Sequence, residues 1–314
     1  MAILLCACGG LAHASAKHAP EPRCGAAAAA TAASTAGSVA ERIYQQELNS
    51  AEVIADRRQV EENGPLLDAL AARETAAVTA AVSKLVYSGT HIVRLRVMAQ
   101  GRVLADVGGP YIIAPVSGTL RLGGRTVGRY VLSVQDDLGF VKLETRFIGV
   151  PLLLLTDEHR IPVEGTLVPG PAQIPPDGPV TLGGVDYQTY SFTASAFPEG
   201  TLTVRMLIPS AVVSSAASCL SIKATELQRI SRTSWERFAA IGAPAASYVL
   251  NNGGLTGTLT YVRSGSHQLA GTTTPGPARL PVLGVVSYRG TSYEVRSFAS
   301  TLDGAPVRVY LLVR

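Results

Sequence analysis

Residues 91–148 read HIVRLRVMAQGRVLADVGGPYIIAPVSGTLRLGGRTVGRYVLSVQDDLGFVKLETRFI, apolar and polar residues in alternation, broken at Gly101, Gly108-Gly109, Gly123-Gly124 and Gly139. Alternation interrupted by turn residues predicts an antiparallel β-meander. In its longest piece, Gly128 to Gln135, successive side chains point to opposite faces. Arg129, Val131, Ser133 and Gln135 therefore share one face, and Tyr130, Leu132 and Val134 the other. Asp136-Asp137-Leu138-Gly139 reads as a tight hairpin leading into a further strand over Phe140–Ile148.

Upstream, Ser38-Val39-Ala40-Glu41 has the form of a capping box opening a helix. Tyr44, Leu48, Ala51 and Ala55 recur at helical spacing until Asn63-Gly64 breaks the run. Pro65 can occupy the first position of a second helix, with Leu67, Ala71, Val78, Val82 and Leu85 as its buried stripe. Helices on one face of the meander leave the face of Arg129, Ser133 and Gln135 open.

Downstream, the features Gly165-Thr166, Pro169-Gly170-Pro171-Ala172, Leu182-Gly183, Tyr187 and Ser191-Phe192 recur in order as Gly271-Thr272, Pro275-Gly276-Pro277-Ala278, Leu283-Gly284, Tyr288 and Ser297-Phe298. Each copy ends in an alternating strand, Leu202, Val204, Met206 and Ile208 in one, Val307, Val309, Leu311 and Val313 in the other. This internal repeat predicts two related β-units. Between them Leu220, Ala224, Leu227, Ile230, Trp235 and Phe238 mark a helix that Gly242 and Pro244 end. Helices segregated from runs of antiparallel strands indicate an α+β fold.

Composition narrows the function. The chain has 314 residues, 47% of them hydrophobic, room for two or three compact units. Net charge is +4 and aromatics are 6%, so neither a phosphate-tracking stripe nor a base-stacking platform for nucleic acid is expected. The five histidines, at 13, 18, 91, 159 and 267, have no metal-ligand spacing, and no nucleophile elbow or phosphate-binding glycine loop occurs. No enzyme, cofactor or metal site is expected. The start, MAILLCACGGLAHASA, has an apolar core followed by small residues, and Ala14-Ser15-Ala16 offers a signal-peptidase site. A second reading makes Leu5-Cys6-Ala7-Cys8 a lipobox with a lipid anchor at Cys8, and a third makes the segment an apolar helix packed on the fold. Cys6, Cys8 and Cys24 fall in or beside this leader and the Ala-rich stretch after it. Cys219 reads as a small buried residue, with no disulfide framework.

The residues Gly101-Arg102-Val103-Leu104-Ala105-Asp106, Ala114-Pro115-Val116, Gly124–Gly128 and Ser133-Val134-Gln135-Asp136-Asp137, following long helices, resemble the extracytoplasmic Cache (PAS-like, PDC) sensor domains. The resemblance extends over 38–209 and implies long N-terminal helices followed by PAS-like antiparallel meanders, with two related C-terminal β-units. The expected division is a leader (1–16), an Ala-rich tether (17–37), helices with a first PAS-like unit (38–149), a second unit (150–209), and a helix with a third unit (210–314). The implied function is an exported, non-enzymatic sensor or binding protein for a small polar or anionic ligand, working with a membrane signalling partner. The alternative is an envelope protein of repeated β-units without a ligand. In citrate-type sensors of this superfamily the corresponding strand places a serine in the pocket, here Ser133. The Arg-x-Trp-Tyr signature of the amino-acid-binding group has no counterpart in 38–148, so an amino-acid ligand is not implied. Arg129, Ser133, Gln135 and Asp137 are the expected ligand contacts, with His91, Arg94 and Arg96 as further sources of charge. Asp136 and Asp137 have an alternative role as turn residues, and Tyr187 and Tyr288 could cover pockets or serve as core aromatics.

Overall fold

Alanine has the highest intrinsic helix propensity, and an alanine-lined helix lets its neighbours approach closely. Both properties shape the first element of the computed structural model, which describes residues 22–88, 91–156, 159–160, 174–210 and 216–314. Helix α1 (Ala28–Leu48) starts well before Ser38 and buries Ala28, Ala32, Ala33, Ala36 and Ala40. The second half of the stretch expected as a tether is thus packed helix, and Ser38 lies within it. The leader with Cys8 and the Pro169–Ala172 copy of the repeated loop lie outside the described residues.

The long helices expected upstream are divided more finely. Ser50 caps α2 (Ala51–Glu61) by accepting from the Val53 N–H, and Asn63 caps α3 (Gly64–Ala72) by accepting from the Leu66 N–H. Arg73, in the left-handed conformation, ends α3 before α4 (Thr75–Tyr87). These three helices bury Leu66, Leu70, Val78, Val82 and Leu85 against the first sheet.

That sheet has strands β1 (Arg94–Ala99), β2 (Arg102–Gly108), β3 (Pro115–Leu122) and β4 (Arg125–Ser133), in the order β2-β1-β4-β3, all antiparallel. The alternation read from the sequence places Tyr130 and Leu132 in the core, fully buried. The expected strand over Phe140–Ile148 is instead helix α5 (Asp137–Ile148). Asp136 is its N-cap, accepting from the Gly139 N–H at 2.6 Å, and Gly149 ends it in the left-handed conformation. Phe140, Val141, Glu144 and Ile148 form the buried stripe, a spacing of three and four that only a helix turns to one side.

The second sheet comprises β5 (Leu152–Thr156), β6 (His159–Arg160), β7 (Gly178–Leu182), β8 (Val185–Ser195) and β9 (Thr201–Pro209), in the order β6-β5-β9-β8-β7. After α6 (Cys219–Ala240) comes α7 (Ala245–Thr256), a helix at the start of the segment expected to be all strand. The third sheet follows, with β10 (Leu259–Ser264), β11 (His267–Gly271), β12 (Gly284–Tyr288), β13 (Thr291–Leu302) and β14 (Ala305–Val313) in the order β11-β10-β14-β13-β12. The second and third sheets share one strand order, and the first has the same order less one strand. Tyr187 follows the Gly183-Gly184 turn in β8, whereas Tyr288 precedes the Arg289-Gly290 turn at the end of β12. By strand position the counterpart of Tyr187 is therefore Tyr293; Ser191-Phe192 and Ser297-Phe298 do correspond.

A disulfide joins Cys24 to Cys219, at the first residue of α6. Cys219 is thus exposed and bonded, not small and buried. The partner lies 195 residues away in a segment without apparent structure in the sequence, so spacing gave no sign of the pair.

Candidate functional site

The outer face of the third sheet is covered by its own connecting loop, and on that of the second sheet Ile174, just before β7, is buried. On the second, Ile174 packs against Leu153 and Leu207, and its carbonyl accepts from Arg205 Nη1 at 2.6 Å. On the third, Leu280 packs with Tyr261, Val295, Tyr310 and Leu312, while Arg263 donates to the carbonyls of Pro277 and Ala278. Tyr288 joins this cover, its hydroxyl donating to the Pro275 carbonyl at 2.8 Å. The corresponding loop of the first sheet, residues 109–114, is short and covers only one end of the outer face.

At the covered end, Ser133 is fully buried and its Oγ donates to the Ile113 carbonyl. Asp137, at the start of α5, accepts from the Ile112 N–H at 3.1 Å. Burial raises the Asp137 carboxyl above its ordinary range, against the opposing pull of the Ile112 and Ile113 amides. Gln135, with its amide turned to satisfy both atoms, donates to Glu47 of α1 and accepts from the Phe140 N–H, each at 3.2 Å. The Tyr44 hydroxyl of α1 accepts from the Ala114 N–H at 3.1 Å. Ser133, Gln135 and Asp137 thus stitch the covering loop to α1 and α5.

Arg94 and Arg96 sit beside this loop and share one carboxylate. Arg94 grips Asp106 with Nε and Nη2, both at 3.0 Å, and Arg96 Nη2 reaches it at 2.7 Å. Their guanidinium carbons lie 4.3 and 5.8 Å from the ring centroid of Phe197, from the β8–β9 loop of the second unit. Burial pushes the Asp106 carboxyl up, but the hydrogen bonds and charges of the two arginines outweigh it and hold the group below its usual range. His91 precedes β1 and is exposed.

Arg129 stands apart. It is exposed on the same face as Ser133 but four residues along the strand, roughly 13 Å at about 3.3 Å per residue. The β1–β4 pairing stops at Met98 and Arg129, and beyond it the β1–β2 and β3–β4 hairpins part. The opening is a cleft of about 960 Å³, whose walls include Met98, Gln100, Ser117, Thr119, Arg125 and Arg129, with Leu70, Ala71 and Arg73 from the end of α3. Gly128 makes the approach of β4 to α3 possible: a Cβ there would lie 3.0 Å from the Met98 carbonyl oxygen and 3.3 Å from Leu70. Of the four expected contacts, Arg129 alone lines this cleft. Arg73 and Arg125 were missed because one follows a helix and the other a glycine turn, positions that carry no signal of convergence. A second cavity of about 670 Å³ lies between α1, α6 and the second sheet; its lining includes Pro209 and Ala217, which flank residues 211–215.

Among the described residues, no group of three or more His, Cys, Asp or Glu is placed to hold a metal ion, and no helix is long and apolar enough to cross a membrane. No protein-family model matches the sequence. No curated protein sequence matches it. Among solved structures, the chain is similar to two chemoreceptor ligand-binding domains and to the periplasmic domain of LuxQ. The ligand-binding domain of the Pseudomonas fluorescens chemoreceptor CtaA, in complex with L-alanine, matches with a TM-score of 0.31 at 11% identity over 55% of this chain and 96% of that one. The periplasmic domain of Vibrio cholerae LuxQ matches with a TM-score of 0.19 at 11% identity over 90% and 98%. The ligand-binding domain of the Pseudomonas aeruginosa amino acid chemoreceptor PctC, in complex with GABA, has a TM-score of 0.16 at 12% identity over 87% and 100%.

Proposed function

We propose that this chain is an extracytoplasmic, non-enzymatic sensor or binding protein that captures a small polar or anionic ligand on the first sheet and passes its occupancy to a membrane signalling partner. The observation that carries this reading is the uncovered end of the first sheet's outer face. There the β1–β2 and β3–β4 hairpins part in a concavity of ligand size, whereas on the third sheet the loop before β12 covers the outer face. Arg129 is the proposed direct contact. Ser133, Gln135 and Asp137 are proposed to act behind it, tying the same sheet to α1 and α5. The disulfide between Cys24 and Cys219 supports an oxidising compartment, since structural disulfides are rare in reducing ones.

A thermal-shift screen of the whole chain against carboxylates, amino acids, purines and polyamines tests the reading, because a ligand that binds only the native state raises Tm. At least one compound is expected to do so, with the rise lost in Arg129→Ala. If none does, the envelope-protein reading takes its place. That reading has one observation in its favour, the edge of the third sheet, where Val282, Leu283 and Val285 are 56%, 65% and 61% exposed on and just before edge strand β12.

A further inference from the structure

Several arginines of this fold have acidic or carbonyl partners. Arg94 and Arg96 share Asp106, Arg229 pairs with Glu226, and Arg296 pairs with Glu294. Arg205 and Arg263 donate to loop carbonyls. Arg73, Arg125 and Arg129, by contrast, have neither an ion pair nor a side-chain hydrogen bond among the described residues, yet all three line the one cleft. The lining of that cleft contains no Asp or Glu at all. All three are exposed on the rim of one concavity, so a ligand with several negative charges matches the charge they gather there. Each guanidinium also offers a planar fork of donors that matches a carboxylate or phosphate edge.

The three come from different elements and are placed by backbone features. Arg73 is the left-handed cap of α3, with φ of 64°. Arg125 starts β4 directly after the Gly123-Gly124 turn, and Arg129 faces outward at the last β1–β4 pair. Hydroxyls of Ser117 and Thr119 on β3 share the lining. We infer that the cleft between the two hairpin tips is a receptor for a small oxyanion bearing two or more negative charges, clamped by Arg73, Arg125 and Arg129. The inference rests on the ligand-binding reading above and narrows it to a ligand class and a position.

Calorimetry on the whole chain at low salt, with inorganic pyrophosphate and propane-1,2,3-tricarboxylate as probes, tests it. Acetate and glycerol serve as monoanionic and neutral controls. At least one polyanion is expected to bind, with affinity falling as salt rises. Each of Arg73→Gln, Arg125→Gln and Arg129→Gln is expected to weaken it by about tenfold or more, as loss of a charged contact does. Arg146→Gln, at an exposed arginine of α5 away from the cleft, is expected to leave it unchanged. Polyanion binding that survives all three cleft substitutions together overturns the inference, as does absence of polyanion binding. If polyanions fail while a neutral or zwitterionic compound in the thermal-shift screen still raises Tm, the sensor reading stands without this site. If nothing in either experiment binds, both fall.

Discussion

Glu144, fully buried on α5, is a carboxyl held in the core with no hydrogen-bond partner for either oxygen among the described residues. Burial first, and then the charge of Glu47 on α1, drive its carboxyl well above the usual range. Burial and the charge of Glu52 raise Glu47 as well. The folded state therefore holds a proton that the unfolded chain releases near its ordinary value of 4.5. With the folded value raised, the contribution of Glu144 is whole below that ordinary value and is lost as pH climbs toward the folded value. Each pH unit in that window costs up to about 1.4 kcal/mol. Glu144→Gln keeps the shape and removes the titration. Urea unfolding at pH 5 and pH 7 is expected to show wild type losing more stability than the variant across that interval. Equal losses in both proteins would mean that Glu144 ionises freely in the folded state.

At the scale of elements, strands were the most legible part of the sequence because one face of each sheet packs on helices, and period-two alternation records that burial. Tyr130, Leu132, Val204, Met206, Val309 and Leu311 are all buried where alternation puts them. The same signal misassigns α5, since Val141, Leu143 and Phe147 alternate with the charged Lys142, Glu144 and Arg146 as the residues of a strand would. The alanine segment was missed for a different reason. Its residues look too small to form a core, but helix α1 uses that smallness to lie close to α6 and β8. Gly37 marks the closest approach: a Cβ there would fall 2.0 Å from Cδ1 of Tyr190 on β8. Gly37→Ala should gain about 1 kcal/mol of helix propensity in isolation. In the folded protein the Tyr190 ring must move, and overpacking of this kind costs about 1–3 kcal/mol, so a net loss of stability is expected. Tyr190→Ala, which empties the space, should reduce the penalty of Gly37→Ala in a double-mutant cycle. Additive effects would show that the helix and strand do not press on each other there. The site was legible by halves in the same way. Alternation put Arg129 and Ser133 on one face, but closure of the 109–114 loop over Ser133 is a tertiary event without a local pattern.

For the molecule as a whole, the Cys24–Cys219 bond joins residues 195 positions apart. It pins the start of α1 to the start of α6, and these helices bury the central core together with α5 and the second sheet. Around the bond, Cys24 N–H donates to the Ala217 carbonyl at 2.8 Å, and Ser218 caps α6 by accepting from the Ser221 N–H at 3.1 Å, so the native geometry is held on both sides. A cross-link between residues so distant in sequence restricts the unfolded chain strongly, and removal of such a bond typically costs about 2–5 kcal/mol. The double variant Cys24→Ala/Cys219→Ala should lose stability in that range by chemical denaturation, and reductant should lower the denaturation midpoint of wild type but not of the variant. The first sheet and its arginine cleft are built from residues 64–133, away from this bond. Polyanion affinity at temperatures well below the midpoint is therefore expected to be the same in the double variant and in wild type. A variant that folds but loses binding would show that the central helices, and not the first sheet alone, hold the hairpin tips apart.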